Sequence, residues 1–129
     1  MTKQVNVAVV VGTITASGNA AVVVTSALLS SSPKTFSIPV LITNTAAVVA
    51  QDIRYALATD TDVSALFVVG GTGANVQLTS RLDAANDATL NISIANDTCT
   101  GLTNAPTSTT TVQGVAVTYF IPSSCPKFR

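Results

Sequence analysis

The sequence contains no histidine, no tryptophan and no glutamate, and only 9% of its residues are charged. The absence of histidine removes the usual general base of enzymes. It also removes the Ser-His and Cys-His pairs of nucleophilic catalysis and most zinc sites. All six acidic residues are aspartate, and no tryptophan is present to stack on a sugar, which disfavours the paired-carboxylate chemistry of glycosidases. We therefore predict that the chain is not an enzyme and has no catalytic residues, metal or cofactor.

The balance of charged residues indicates which classes of partner the protein can bind. Six basic residues offset six acidic ones, so the formal net charge is zero. Binding of nucleic acid needs a basic excess, and binding of a membrane surface needs a basic amphipathic helix. The sequence has neither, so we predict no nucleic-acid partner and no membrane partner. A soluble monomer normally keeps a charged surface, so this composition favours a protein that packs against others.

The cysteines leave two readings open. Cys99 and Cys125 are the two cysteines of the chain, and neither lies in a CxxC motif. Two cysteines do not make a disulfide scaffold. Both are free thiols, or one bridge holds the C-terminal tail in place.

The length of 129 residues predicts a single domain. Valine, isoleucine and threonine make up about a third of the chain, which favours strands. Residues 4–16 are interpreted as one strand or an extended arm, and 20–28 as a second strand. In 35–42 the alternation places Phe36, Ile38, Val40 and Ile42 on one face. Pro39 cannot donate a ladder hydrogen bond, which predicts an edge strand or a bulge there.

The period then changes to that of a helix. Asn44 or Thr45 can cap it, and the following apolar residues share one face at helical spacing: Ala46, Val49, Ala50, Ile53, Ala56 and Leu57. We interpret Asp60 and Asp62 as a helix exit followed by a new cap at Asp62. A weak Ca²⁺ site is the alternative, but the glycine and the later acidic ligand of an EF-hand are missing.

The second half returns to strands. GGTGAN at 70–75 predicts a hairpin-like loop rather than a phosphate-binding loop, because no GK[ST] follows. Strands are predicted at 76–81, with Val76, Leu78 and Ser80 on one face, and at 89–95, with Leu90, Ile92 and Ile94 inward. The pattern decays after Asn96 and recovers at 112–122.

These elements predict an α+β fold. It is a mainly antiparallel β-sheet or sandwich with one helix, about 45–59, packed on one face and extended N- and C-terminal arms. The divisions are 1–19 as N-terminal strand or arm, 20–104 as β-β-α-β-β core, and 105–129 as C-terminal strand and tail, within a single domain overall.

Three stretches resemble a small αβ module that recurs in tailed-bacteriophage virion proteins. They are SSSPKTFSIPV, NTAAVVAQDIRYALATDTDVSALFVVGGTGANVQLTSR and AANDATLNISIANDTCTGLTNAPTSTTTVQGV. The resemblance covers roughly residues 20–115. This part of the chain is similar to inserts in tail-sheath-like proteins and to small stand-alone decoration or tail-associated proteins. The matching positions are Thr45, Ala46, Val49, Ala50, Ile53, Ala56, Leu57, Gly71, Gly73, Val76, Leu78 and Thr79. They are packing residues.

The resemblance implies a non-enzymatic structural component of a virion, assembled in the host cytoplasm. We expect a capsid decoration or cement protein, and the alternatives are a tail- or neck-associated protein and a host-surface glycan-binding module. The expected partners are major capsid or tail proteins and further copies of the chain. Residues 2–16 and 105–129 would cross to neighbouring subunits. The candidate contact residues are Val7, Val9, Val11, Tyr119, Phe120 and Phe128, for which ordinary core packing is the alternative.

Overall fold

The computed structural model describes residues 3–30, 32–83, 87–104 and 107–115, and for residues 82 and 83 the backbone alone. Within that part the chain forms nine strands and two helices. In chain order they are β1 (Lys3–Val9), β2 (Gly12–Ala16), β3 (Gly18–Thr25), β4 (Lys34–Val40), α1 (Ala46–Thr59), α2 (Thr61–Leu66), β5 (Phe67–Gly70), β6 (Asn75–Asp83), β7 (Asn91–Asn96), β8 (Thr100–Leu102) and β9 (Thr109–Val112).

The strands form three sheets, and every strand pair is antiparallel. The largest has the order β5-β6-β1-β9, the second β4-β3-β7, and β2 pairs with β8. The predicted α+β class with mainly antiparallel strands is confirmed. Strand β4 lies at an edge of its sheet, as Pro39 predicts, because proline cannot donate to a further strand.

Alternating small aliphatic side chains build the core. Strand β3 buries every second residue, and β6 and β7 bury the residues predicted to point inward. The fully buried members from these three strands are Ala20, Val22, Val24, Val76, Leu78, Ile92 and Ile94. Burying each large aliphatic side chain contributes about 1.5–3 kcal/mol, so these rows hold the two larger sheets together.

Helix α1 begins where the sequence predicts. The Thr45 hydroxyl accepts a hydrogen bond from the N–H of Val48 at 3.4 Å, which caps the helix. Its buried residues are Val49, Ala50, Ile53 and Leu57, which belong to the predicted stripe. This face contacts β4 of one sheet and β5 and β6 of the other, so the helix fills the space beside both sheets.

The predicted extended N-terminal arm is wrong. Strand β1 lies between β6 and β9 and pairs with both. Ala8 and Val10, together with the polar Gln4 and Asn6, are buried. Residues 3–16 are therefore part of the protein's own sheets. The sequence pattern did not reveal this placement, because β1 buries the polar Gln4 and Asn6 and has its valines on the outer face.

Two further expectations differ from the structure. Ile42 was expected to continue the inward row of β4, but that strand ends at Val40 and Ile42 is exposed. The region after Asn96, where the sequence pattern decays, contains β8 and β9. These strands are three and four residues long, too short to establish a visible period. Residues 116–129, with most of the predicted strand 112–122, lie outside the described residues.

Candidate interaction surfaces

Asp60 and Asp62 form a bonded cluster with Lys34. The Lys34 Nζ lies 2.7 Å from the Asp60 Oδ1 and 2.9 Å from the Asp62 Oδ2. The Asp60 Oδ2 accepts the N–H of Val63 at 2.9 Å, so Asp60 caps α2. The predicted cap at Asp62 is wrong, because α2 already begins at Thr61 and the residue before it is the one in extended conformation. The ion pairs link the start of β4 to the junction of the two helices.

The pKa values in this cluster reflect those bonds. Burial raises the pKa of the Asp60 carboxyl, but the Lys34 ammonium and the Val63 N–H outweigh burial and hold it below its ordinary value of 3.8. Hydrogen bonds to Asp60 and Asp62 raise the pKa of Lys34. Among the described residues, no group of three or more His, Cys, Asp or Glu side chains is placed to hold a metal ion. The ion pairs with Lys34 and the Asp60 cap make the acidic end of α1 a junction between β4 and the two helices.

Asp87 is held by donors on two segments. Its Oδ2 accepts the Ser26 hydroxyl and the Ala27 N–H, both at 2.8 Å, and its Oδ1 accepts the Thr89 N–H at 2.9 Å. Burial raises the pKa of this carboxyl, but the donors on Thr89, Ser26 and Ala27 outweigh it and hold the pKa below 3.8. Asp87 thus joins the turn after β3 to the turn before β7, as loop chemistry predicts.

The two arginines described also bond within the chain. One Arg54 amino group donates to the carbonyls of Gly73 and Asn75 at 3.0 and 2.6 Å, and the Arg81 Nε donates to the carbonyl of Ser64 at 2.7 Å. Arg54 fastens α1 to the β5–β6 hairpin, and Arg81 fastens β6 to α2. Many of the few charges of this chain therefore act as internal links.

Cys99 is buried and forms no disulfide with a described residue. Its Sγ donates to the Asn96 Oδ1 at 3.4 Å. Cys125 lies outside the described residues, so both sequence readings of the cysteine pair stay open.

The outer face of the four-stranded sheet has valines on three of its strands, beside the polar outward residues of β6. Directly opposed residues share a face of a sheet, and one row crosses all four strands through Val68, Thr79, Val5 and Val112. Val9 continues the outer row of β1, and both Val9 and Val68 are 47% exposed.

The outer face of the three-stranded sheet consists of small uncharged side chains. Ala21 is opposed by Ser37 on one side and Ala95 on the other, and Val23 by Thr35 and Ser93. The charged residues on the outer face of the larger sheet, Lys3, Arg81 and Asp83, lie together at one end of it, where Lys3 is opposite Asp83 in the strand register. Among the described residues, the rest of that face and the outer face of the three-stranded sheet are uncharged.

A groove of about 300 Å³ lies between the edge strand β4 and helix α1. Ser37, Ile38 and Pro39 line it from the strand, and Asp52, Tyr55 and Ala56 from the helix. The Tyr55 side chain is 72% exposed, so its ring is available to a partner. Exposed Leu41 and Ile42 follow in the turn that connects the two elements.

Three of the six predicted contact residues lie in the described part of the chain, and three do not. Val7 and Val9 share the outer face of β1, half-buried and exposed respectively, and Val11 is 51% exposed in the β1–β2 connection. Tyr119, Phe120 and Phe128 lie outside the described residues. Sequence reasoning missed Tyr55, although an aromatic residue on the polar side of a predicted helix was a signal that could have identified it.

Comparison with protein-family models, with curated proteins and with solved structures finds no match. The phage-module resemblance therefore stays a prediction. No helix in the described part of the chain is long and apolar enough to cross a bilayer.

Proposed function

We propose that this chain is a non-enzymatic structural component of a tailed-phage virion. In this role it is a capsid decoration protein that stabilises the particle through many copies of a weak subunit contact. Its partners are the major capsid protein and further copies of itself. Multivalent attachment makes the total affinity high although each contact is weak.

The observation that carries the proposal is the distribution of charge. Asp60, Asp87, Arg54 and Arg81 are bonded inside the chain. In the described part of the chain, the outer face of the three-stranded sheet is uncharged, and the charges on the outer face of the larger sheet are confined to one end. Depletion of charge is the compositional signature of the buried centre of a protein interface. Valine and threonine rows on a flat sheet suit close packing against another protein rather than recognition of a small substrate.

The glycan-binding alternative has less support. It places a shallow polar pocket around the loops at 70–75 and 83–87, of which residues 84–86 lie outside the described part. The groove between β4 and α1 lies elsewhere, and Ile38, Pro39 and Ala56 make much of its lining apolar. The tail or neck alternative uses the same contact chemistry, and location on the particle distinguishes it from decoration.

Deletion of the gene from the phage that encodes this chain tests the proposal. We expect particles to assemble but to lose infectivity faster under heat and osmotic shock, and purified protein added back should restore resistance. Electron microscopy of particles with added protein then locates it. Density spread over the capsid supports decoration, whereas density confined to the tail or neck supports that alternative.

Substitutions that introduce charge on the outer face of the four-stranded sheet test whether this face makes the capsid contact. Val9→Lys and Val68→Lys each place an ammonium among the uncovered valines, and we expect both to restore resistance poorly because an unpaired buried charge opposes association. Ala58→Lys, on an exposed position of α1, is the matched control and should restore it fully. Wild-type resistance of the deleted particles would contradict the decoration role.

A further inference from the structure

Asp52 differs from the other aspartates with partly buried side chains. Asp60 and Asp87 are held by internal donors, whereas no hydrogen bond or ion pair joins the half-buried Asp52 carboxylate to another described residue. It lies on the wall of the β4–α1 groove. Partial desolvation of a carboxylate without a partner is unfavourable. A cationic group bound in the groove would therefore be stabilised by Asp52.

The other residues that line the β4–α1 groove indicate which kind of side chain could bind there. Tyr55 offers an exposed aromatic ring on the same helix, one turn from Asp52, and Pro39 and Ile38 offer apolar surface on the opposite wall. An aromatic ring and a carboxylate together suit a basic side chain on an aliphatic stem, which can bond the carboxylate and lie against the ring. An adjacent apolar side chain of the same segment would fill the remainder of the groove.

The chain itself contains a segment with this chemistry. The described residues include all six aspartates but four of the six basic residues. The remaining two, Lys127 and Arg129, flank Phe128. The body is therefore acidic on balance and the segment 116–129 is basic, so the two are complementary in charge.

We propose that the β4–α1 groove receives residues 127–129 of a second copy of the chain. Phe128 packs against Tyr55 and Pro39, and a flanking basic side chain pairs with Asp52. This inference rests on the proposed function, in which copies of the chain contact one another, and it names the surface and the segment of one such contact.

Cys125 provides a natural reporter, because it precedes Phe128 by three residues. One full-length copy carries Ser37→Cys on the groove rim together with Cys125→Ser, and a second copy, with a different tag, keeps Cys125. After mild oxidation of the mixture, we expect a disulfide-linked dimer that contains both tags. Adding Asp52→Asn to the groove copy should lower its yield about tenfold, because one partner of the charge pair is lost.

A second groove copy with Thr100→Cys instead of Ser37→Cys is the matched control, since Thr100 is exposed on β8. Equal dimer yields from Ser37→Cys and Thr100→Cys would overturn the proposal. A copy with Ser37→Cys and its own Cys125 that forms an internal disulfide in preference to the mixed dimer would also overturn it, because the segment would then occupy its own groove.

Self-association of the full-length protein gives an independent measurement. Sedimentation velocity should show association weakened about tenfold or more by Asp52→Asn and by Phe128→Ala, and unchanged by Asp97→Asn, which removes an exposed carboxylate elsewhere. If Asp52→Asn still associates as the wild type does, the groove proposal is wrong. The virion role is judged separately, by whether that variant restores resistance to deleted particles.

Discussion

The side chain of Gln4 pairs with the backbone of Asp87 in both directions. The Gln4 Nε2 donates to the Asp87 carbonyl at 3.2 Å, and the Gln4 Oε1 accepts the Asp87 N–H at 2.9 Å. These residues are 83 positions apart, so the pair fixes the start of β1 against the turn that leads into β7. The same turn is fixed to the end of β3 by the Asp87 carboxylate.

Replacing Gln4 should therefore destabilise the fold although the residue is polar. Gln4→Ala leaves the half-buried Asp87 N–H without its acceptor and removes one of the two donors to the Asp87 carbonyl, which still accepts the Leu90 N–H. We expect a loss of about 1–3 kcal/mol in the free energy of unfolding. Chemical denaturation measures it. Gln77→Ala, in which a half-buried glutamine on β6 is removed, is the matched control and should cost less. Equal losses would show that the Gln4–Asp87 pair has no special role.

Asp87 should make stability depend on pH. Because its pKa is lower in the folded protein than its ordinary value of 3.8, the ionised carboxylate stabilises the fold at neutral pH. That contribution is complete above the ordinary value and is lost as pH falls through the lowered one. We expect Asp87→Asn to be less stable than the wild type at about pH 6 and to lose less on acidification to about pH 3. Urea unfolding at both pH values measures the difference, and Asp97→Asn controls for the loss of one negative charge.

The sequence predicted the features that depend on local periodicity. The stripe of α1 and the edge position of Pro39 follow from spacing and from the missing N–H of proline. The roles of Gln4 and Asn6 did not follow, because their partners, such as the Leu90 carbonyl for Asn6, are far away in the chain. The groove could not be predicted for the same reason, since its two walls come from separate elements. Asp52 is distinctive only because its carboxylate has no partner among the described residues.

The capping role of Asp60 predicts an asymmetry between two neighbouring aspartates. Asp60→Ala removes the acceptor for the Val63 N–H at the start of α2, and loss of an N-cap costs about 1 kcal/mol. Asp62→Ala removes the ion pair with Lys34 from a side chain that is 45% exposed, and exposed pairs contribute little. Thermal unfolding of the two variants measures the difference. A larger loss for Asp62→Ala would restore the sequence-based assignment of the cap.

Gly101 should tolerate no side chain, whereas Gly70 should. Gly101 has a φ of +117°, and a Cβ there would lie 2.0 Å from the Thr13 carbonyl oxygen on the paired strand β2. Strained backbone alone costs about 1–3 kcal/mol, so Gly101→Ala should lower stability by at least that much and increase amide hydrogen exchange in β2 and β8. A Cβ on Gly70 meets nothing within 4 Å, and alanine is preferred over glycine inside a strand by about 0.5–1 kcal/mol. Gly70→Ala should therefore match or exceed wild-type stability. A Gly101→Ala protein with wild-type stability and wild-type exchange in β2 and β8 would contradict the prediction, because it would show that the strand pair accommodates a side chain there.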